Sequence, residues 1–151
     1  MAKAWAASAR GIDVPAIDQC HDQIVHALEK AGWEILKSPY VLYIAERRRI
    51  YVDLYAQHGQ KNGNQTIIIV EVKCFVDERS ELNDLYNAIG QYIVYRNWLK
   101  MVNSSDKLYL AVPKQAYETV IKPLAMEIIT ENHIKMIVVN IETEEVEQWL
   151  V

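Results

Sequence analysis

Glu71 and Lys73 stand two residues apart in Thr66–Phe75, a segment otherwise made almost wholly of β-branched and apolar residues. Side chains alternate along a β-strand, so Glu71 and Lys73 share one face with Ile67 and Ile69, while Ile68, Val70, Val72 and Cys74 take the other. A strand this apolar is expected in the middle of its sheet, where an unpaired charge is costly. Asp53 is the one acid among Tyr51, Val52, Leu54 and Tyr55, and a hairpin between the two segments sets it beside Glu71. Two carboxylates about 4 Å apart repel by roughly 4 kcal/mol at an effective dielectric constant of about 20, so the pair favours a bound cation or a shared proton.

Magnesium, or manganese in its place, suits such a pair, because it is hard, takes oxygen ligands and keeps several waters. Lys73 is then placed to orient an activated water and to offset charge building on a phosphate. Asp53 and Glu71 are the expected metal ligands, and Asp53, Glu71 and Lys73 the expected centre of a metal-assisted phosphodiester hydrolysis. The alternative is an ordinary same-face ion pair near a sheet edge, with Asp53 merely solvated.

Gln91 and Tyr95 lie four residues apart on the helical segment that follows, hence on one face one turn apart. They are expected to join the catalytic set; the alternative is a flanking Gln and a Tyr packed on the sheet. On an earlier helix Glu29 is turned roughly 140° from the Cys20/Ile24/Leu28 stripe and is left out of the metal site. His21 sits at the edge of that stripe and reads as structural. His26, His58 and His133 lie in polar contexts, and no Ser/His/Asp grouping, Walker loop or dinucleotide fingerprint occurs.

These residues need elements to hold them. Cys20, Ile24, Ala27, Leu28 and Ala31 form the stripe of a first helix, with Asp18 as its N-cap and Gly32 as its stop. Trp33–Leu36, Val41–Ile44, Ile50–Gln57 and Thr66–Phe75 read as a meander of three or four strands, the last two separated by Gly59, Asn62, Gly63 and Asn64. Ser80 caps a long helix running to about Met101, its buried stripe formed by Leu82, Leu85, Ile89, Ile93 and Leu99. A strand over Lys107–Val112 precedes a helix over about Gln115–Thr130 that Pro123 should kink or split, and Ile134–Asn140 and Val146–Leu150 close the chain as strands. The order predicts an α/β (α+β) fold, a mixed central sheet flanked by helices, in a single domain over 17–151 after an N-terminal arm over 1–16.

The chain has 151 residues, 51% of them hydrophobic and 24% charged, which is enough for a core without disulfide or metal staples. A net charge of −4 argues against a protein that grips nucleic acid through overall basicity. The dense local exception is Arg47-Arg48-Arg49, read either as a nucleic-acid patch or as a solvated hairpin edge. Cys20 and Cys74 form no CxxC pair and read as two reduced core thiols, hence a cytoplasmic setting. No apolar run suits a signal peptide or a membrane span, so no membrane partner is expected.

From Asp18 onward the chain resembles the XisH family, the cyanobacterial fdxN-element excision controlling factors. The likeness is carried by Asp18 to His21, Ala27-Leu28-Glu29-Lys30-Ala31-Gly32-Trp33, Val52-Asp53-Leu54, Glu71-Val72-Lys73-Cys74-Phe75, Ala88-Ile89-Gly90-Gln91-Tyr92 with Tyr95-Arg96, and Leu108-Tyr109-Leu110-Ala111-Val112-Pro113. The resemblance implies a restriction-endonuclease-like, PD-(D/E)xK core with Asp53, Glu71 and Lys73 in its metal and catalytic positions and Gln91 and Tyr95 in its helix positions. It further implies a role in developmentally timed DNA excision and a XisI-like partner protein. Val52 replaces the proline that names the superfamily motif, and Tyr55-Ala56-Gln57 stands where a glycine and an acid are expected, which marks a divergent member.

Three functions compete. One is metal-dependent cleavage of DNA, with Mg2+ or Mn2+ as cofactor. The second is a non-catalytic accessory factor that binds DNA or a XisI-like protein, and the third is a protein-interaction module, either of which uses the fold as a scaffold. DNA and a XisI-like protein are the expected partners, with a homodimer as a further assembly.

Overall fold

A computed structural model describes residues 16–59 and 63–151. The expected arm, apart from Ala16, and Asn62 of the turn lie outside the described residues. Helix α1 spans Ala16–Lys30, β1 Glu34–Lys37, β2 Tyr40–Ala45, β3 Arg48–Val52, β4 Leu54–Gly59 and β5 Gln65–Val72. A 3-10 turn at Glu78–Ser80 leads into α2 (Glu81–Met101), followed by β6 (Lys107–Pro113). Next come α3 (Lys114–Ala116), a π-helical stretch (Tyr117–Ile121) and α4 (Lys122–Glu131), then β7 (Met136–Asn140) and β8 (Glu145–Leu150).

The described residues form a six-stranded mixed sheet in the order β1-β4-β5-β6-β7-β8, with β2 and β3 as a separate two-stranded ribbon. Strands β5, β6 and β7 run parallel, and β1, β4 and β8 complete the sheet antiparallel to their neighbours. The fold is therefore of the mixed α/β type expected. Alternation sorts the core into two layers. Ile68, Val70 and Val72 of β5 pack with Ile24, Ala27 and Leu28 of α1. Ile69 packs on the opposite side with Leu85, Ala88 and Tyr92 of α2, Ile121 and Ala125 of the later helical stretch, and Leu42 of the ribbon.

Several local expectations are corrected. The expected strand over Ile50–Gln57 is two strands broken at Asp53, and β1 pairs with β4 rather than with β2. The cause is visible in the packing: Val52 and Leu54 are both fully buried, yet they lie in opposite layers, whereas residues two apart on a continuous strand share a face. The chain turns over at Asp53 to move from ribbon to sheet.

Helix α1 begins at Ala16, which puts Asp18 in its first turn rather than at the cap, where its charge still suits the helix dipole. Gly32 ends that helix with a φ of +94°, as a stop glycine should. Ser80 occupies the N-cap of α2 without a side-chain cap bond, and Leu82 is exposed while Ala88 and Tyr92 join Leu85 and Leu99 in the buried stripe. The helix expected over Gln115–Thr130 is split as Pro123 suggested: the π-helical stretch at Tyr117–Ile121 separates α3 from α4, and Pro123 lies in the first turn of α4. The strand expected over Thr66–Phe75 ends at Val72.

Candidate functional site

Strand β5 lies between β4 and β6, so Glu71 falls in the interior of the sheet. Only 7% of its surface is exposed, and its Oε1 is buried with no hydrogen-bond partner. The β4–β5 ladder stops at Leu54 opposite Val70. One step further the turn at Asp53 sets a carboxylate where a ladder carbonyl would stand, and Oδ2 accepts a hydrogen bond from the Val72 N–H at 2.8 Å. On the other edge the Lys73 N–H donates to the Ala111 carbonyl at 2.9 Å, which fixes the strand beyond its assigned end.

The two carboxylates are thereby brought together at the end of β5. Burial pushes the Glu71 pKa up to about 8; the negative charge of Asp53 adds to the rise and Lys73 partly opposes it. Lys73 is half-buried and, among the described residues, makes no ion pair within 4 Å. Its ammonium therefore influences Glu71 without being consumed by it.

Helix α2 starts soon after β5 and carries Gln91 and Tyr95 one turn apart. Gln91 is half-buried, and its Oε1 is the other buried side-chain oxygen without a partner. The Tyr95 pKa is raised, first by burial and then by the charges of Glu71 and Asp53, so its hydroxyl shares their field. Its ring stacks on Trp98, with centroids 6.1 Å apart.

Helix α1 adds a group that sequence reasoning treated as structural. His21 Nε2 lies 3.7 Å from Asp53 Oδ1, both side chains being about one-third exposed, and that carboxylate draws the His21 pKa up. The signal was its place at the edge of the α1 stripe, but which element that edge would meet was not legible. Glu29 is exposed on the same helix.

Beside His21 and Lys73, Cys20 and Cys74 form a disulfide that ties α1 to the chain just past β5. This corrects the expectation of two reduced thiols. The cysteines are 54 residues apart in sequence, and only the packing of α1 across β5 brings their Cα atoms to 6.3 Å.

The arrangement offers two carboxylates, an ammonium and an imidazole at one strand end, with the Tyr95 phenol in the field of the carboxylates. Asp53 and Glu71 are the residues that could hold a hard cation: both present oxygens, and the buried Oε1 of Glu71 has no hydrogen-bond partner. Among the described residues no group of three or more His, Cys, Asp or Glu side chains is set to hold a metal. A two-carboxylate donor set suits an ion that keeps several waters, as magnesium does.

The model of the XisH protein family matches residues 14–147. The chain belongs to the XisH family. Two solved structures are similar to it. One is an fdxN element excision controlling factor protein from Anabaena variabilis, 33% identical, covering 89% of this chain and 99% of its own length with a TM-score of 0.76. The other is an XisH family protein from Nostoc punctiforme PCC 73102, 32% identical, covering 89% of this chain and 100% of its own, also with a TM-score of 0.76. No curated protein matches. The XisH match spans every residue of the strand-end cluster, from His21 to Tyr95. No helix among the described residues is long and apolar enough to cross a membrane.

Proposed function

We propose that this XisH family member is an excision controlling factor that acts on DNA, cleaving a phosphodiester at the Asp53, Glu71 and Lys73 site with the help of Mg2+ or Mn2+. The observation that carries the reading is the buried, unpartnered carboxylate oxygen of Glu71 beside Asp53. A structural ion cluster would pair such a group; a metal site leaves it waiting. Bound there, the cation would supply Lewis acidity and lower the pKa of water.

The chain's own residues do the rest. Asp53 is held by the Val72 N–H and by His21, so its second oxygen stays fixed in direction. Lys73, unpaired, is placed to orient the attacking water and to oppose charge on the phosphate. Gln91 can hold that water or the phosphate through its amide, and Tyr95 can donate a proton bond to a phosphate oxygen. A supercoiled plasmid should be nicked by the protein with Mg2+ or Mn2+, and the nicking should vanish with chelator and in Glu71→Ala and Lys73→Ala. No nicking by pure protein, alone or with a XisI-like partner, would end this reading.

The second reading is a non-catalytic accessory factor that binds DNA or a XisI-like protein. It is favoured by the name of the Anabaena relative, which describes a controlling factor and no nuclease. It predicts binding that survives Lys73→Ala in a protein that never nicks.

A further inference from the structure

The β2–β3 ribbon carries what the strand-end site leaves unused. Its inner face packs Tyr40, Leu42, Ile44, Ile50 and Val52 onto the α2 layer. Its outer face bears Tyr43 and Tyr51, 68% and 52% exposed. Tyr43 is opposite Arg49 and Tyr51 opposite Val41, so the two rings stand on neighbouring strands offset by two residues, about 7–8 Å apart at their Cα atoms. The Arg49 guanidinium lies over the Tyr51 ring, 5.8 Å from its centroid. Arg47, with a φ of +66°, turns the tip beside Arg48.

The ribbon and its turn carry three arginines and one glutamate, Glu46, in a chain whose net charge is −4. Among the described residues none of the four makes an ion pair within 4 Å. A solvated edge needs charge to discourage pairing, but it does not need two large aromatic rings on the same face. The ribbon also ends at Val52, the residue before Asp53, so Tyr51 lies about 7 Å along the backbone from the strand-end site.

We propose that the outer face of the ribbon is a docking surface for single-stranded DNA. Tyr43 and Tyr51 each offer a stacking platform for an unpaired base, Arg49 on the same face contacts the phosphate between them, and Arg47 and Arg48 at the exposed tip contact the phosphates beyond. Spaced rings suit unpaired bases because the bases of a duplex are already stacked on one another. The inference rests on the reading that DNA is the substrate of the Asp53, Glu71 and Lys73 site, and it says which strand is led there.

The test is fluorescence anisotropy of the full chain, in EDTA, with a labelled 20-nucleotide single strand and its duplex. The single strand is expected to bind at least tenfold tighter. Tyr43→Ser with Tyr51→Ser should weaken it by roughly thirtyfold or more, stacking being worth about 1–3 kcal/mol for each of the two bases. Arg47→Gln, Arg48→Gln and Arg49→Gln together should lower the slope of log K against log salt by about 2. All five side chains are exposed, so circular dichroism should show these variants folded as the parent. Unchanged single-strand affinity in both variants, preference for the duplex, or no binding of the single strand overturns the proposal.

Its failure is separable from that of the site. A protein that nicks plasmid while the ribbon variants bind as the parent does leaves the site reading and removes the ribbon. A protein that binds single strands through the ribbon and never nicks keeps the ribbon and removes the cleavage.

Discussion

Asp53 accepts the Val72 N–H at 2.8 Å, and this one bond lets the chain cross from ribbon to sheet while leaving a carboxylate beside Glu71. The two duties of Asp53 can be parted. Asp53→Asn keeps an oxygen for the Val72 N–H and removes the charge, so stability should stay within about 1 kcal/mol while nicking falls at least a hundredfold. Asp53→Ala leaves a half-buried N–H unpaired and should in addition lower stability by about 1–3 kcal/mol. Urea unfolding beside a plasmid assay reads both.

Glu71 gives the metal-free protein a defined pH dependence. Its folded pKa of about 8 stands above its ordinary value of 4.5, so between these values the folded state holds the proton and the unfolded state does not. Stability is then greatest below the lower value and falls as pH rises towards the upper one, by at most about 1.4 kcal/mol per pH unit. Glu71→Gln should flatten most of that fall in thermal melts with chelator present. His21, whose pKa Asp53 raises, loses its contribution as pH climbs through the folded His21 pKa, and the slope left in Glu71→Gln should shrink when His21→Gln is added. Magnesium at pH 8 should raise the melting temperature of the parent and not of Glu71→Gln.

The Cys20–Cys74 bridge joins two segments 54 residues apart beside the site. Closing a loop of that length in the unfolded chain is worth about 4 kcal/mol. Reduction, or Cys20→Ser with Cys74→Ser, should lower unfolding stability by that amount. The two sulfurs are bonded to each other, so thiol titration of the unreduced native protein and of the unreduced denatured protein should alike find no free thiol from this pair.

How much of this was written in the sequence follows from the range of each interaction. The alternation of Ile68, Val70 and Val72 against Ile69, Glu71 and Lys73 is a local property, so the shared face of Glu71 and Lys73 was legible. The helical spacing of Gln91 and Tyr95 was legible for the same reason. The break at Asp53 was not, because Tyr51–Tyr55 has the composition of one strand, and only the two core layers assign Val52 and Leu54 to opposite sides. The disulfide and the approach of His21 to Asp53 depend on where α1 crosses β5, a distance in space that spacing along the chain does not encode. Leu82 misled because its position fits the helical stripe, yet in the first turn of α2 it is 51% exposed.

Two tyrosines three residues apart on α2 separate fold from function. The Tyr92 hydroxyl donates to the Leu108 carbonyl at 2.8 Å and accepts from the Lys135 N–H at 3.1 Å, joining α2 to the starts of β6 and β7. Tyr92→Phe leaves a buried carbonyl and a part-buried N–H without that partner and should lower stability by about 1–3 kcal/mol, with nicking per folded molecule unchanged. Tyr95 makes no such bond among the described residues, and its hydroxyl lies in the field of Glu71 and Asp53. Tyr95→Phe should therefore leave the melting temperature within a few degrees and lower nicking roughly ten- to a hundredfold, the cost of one hydrogen bond to a charged group. Equal effects of the two substitutions on stability and on nicking would show Tyr95 to be a packing residue.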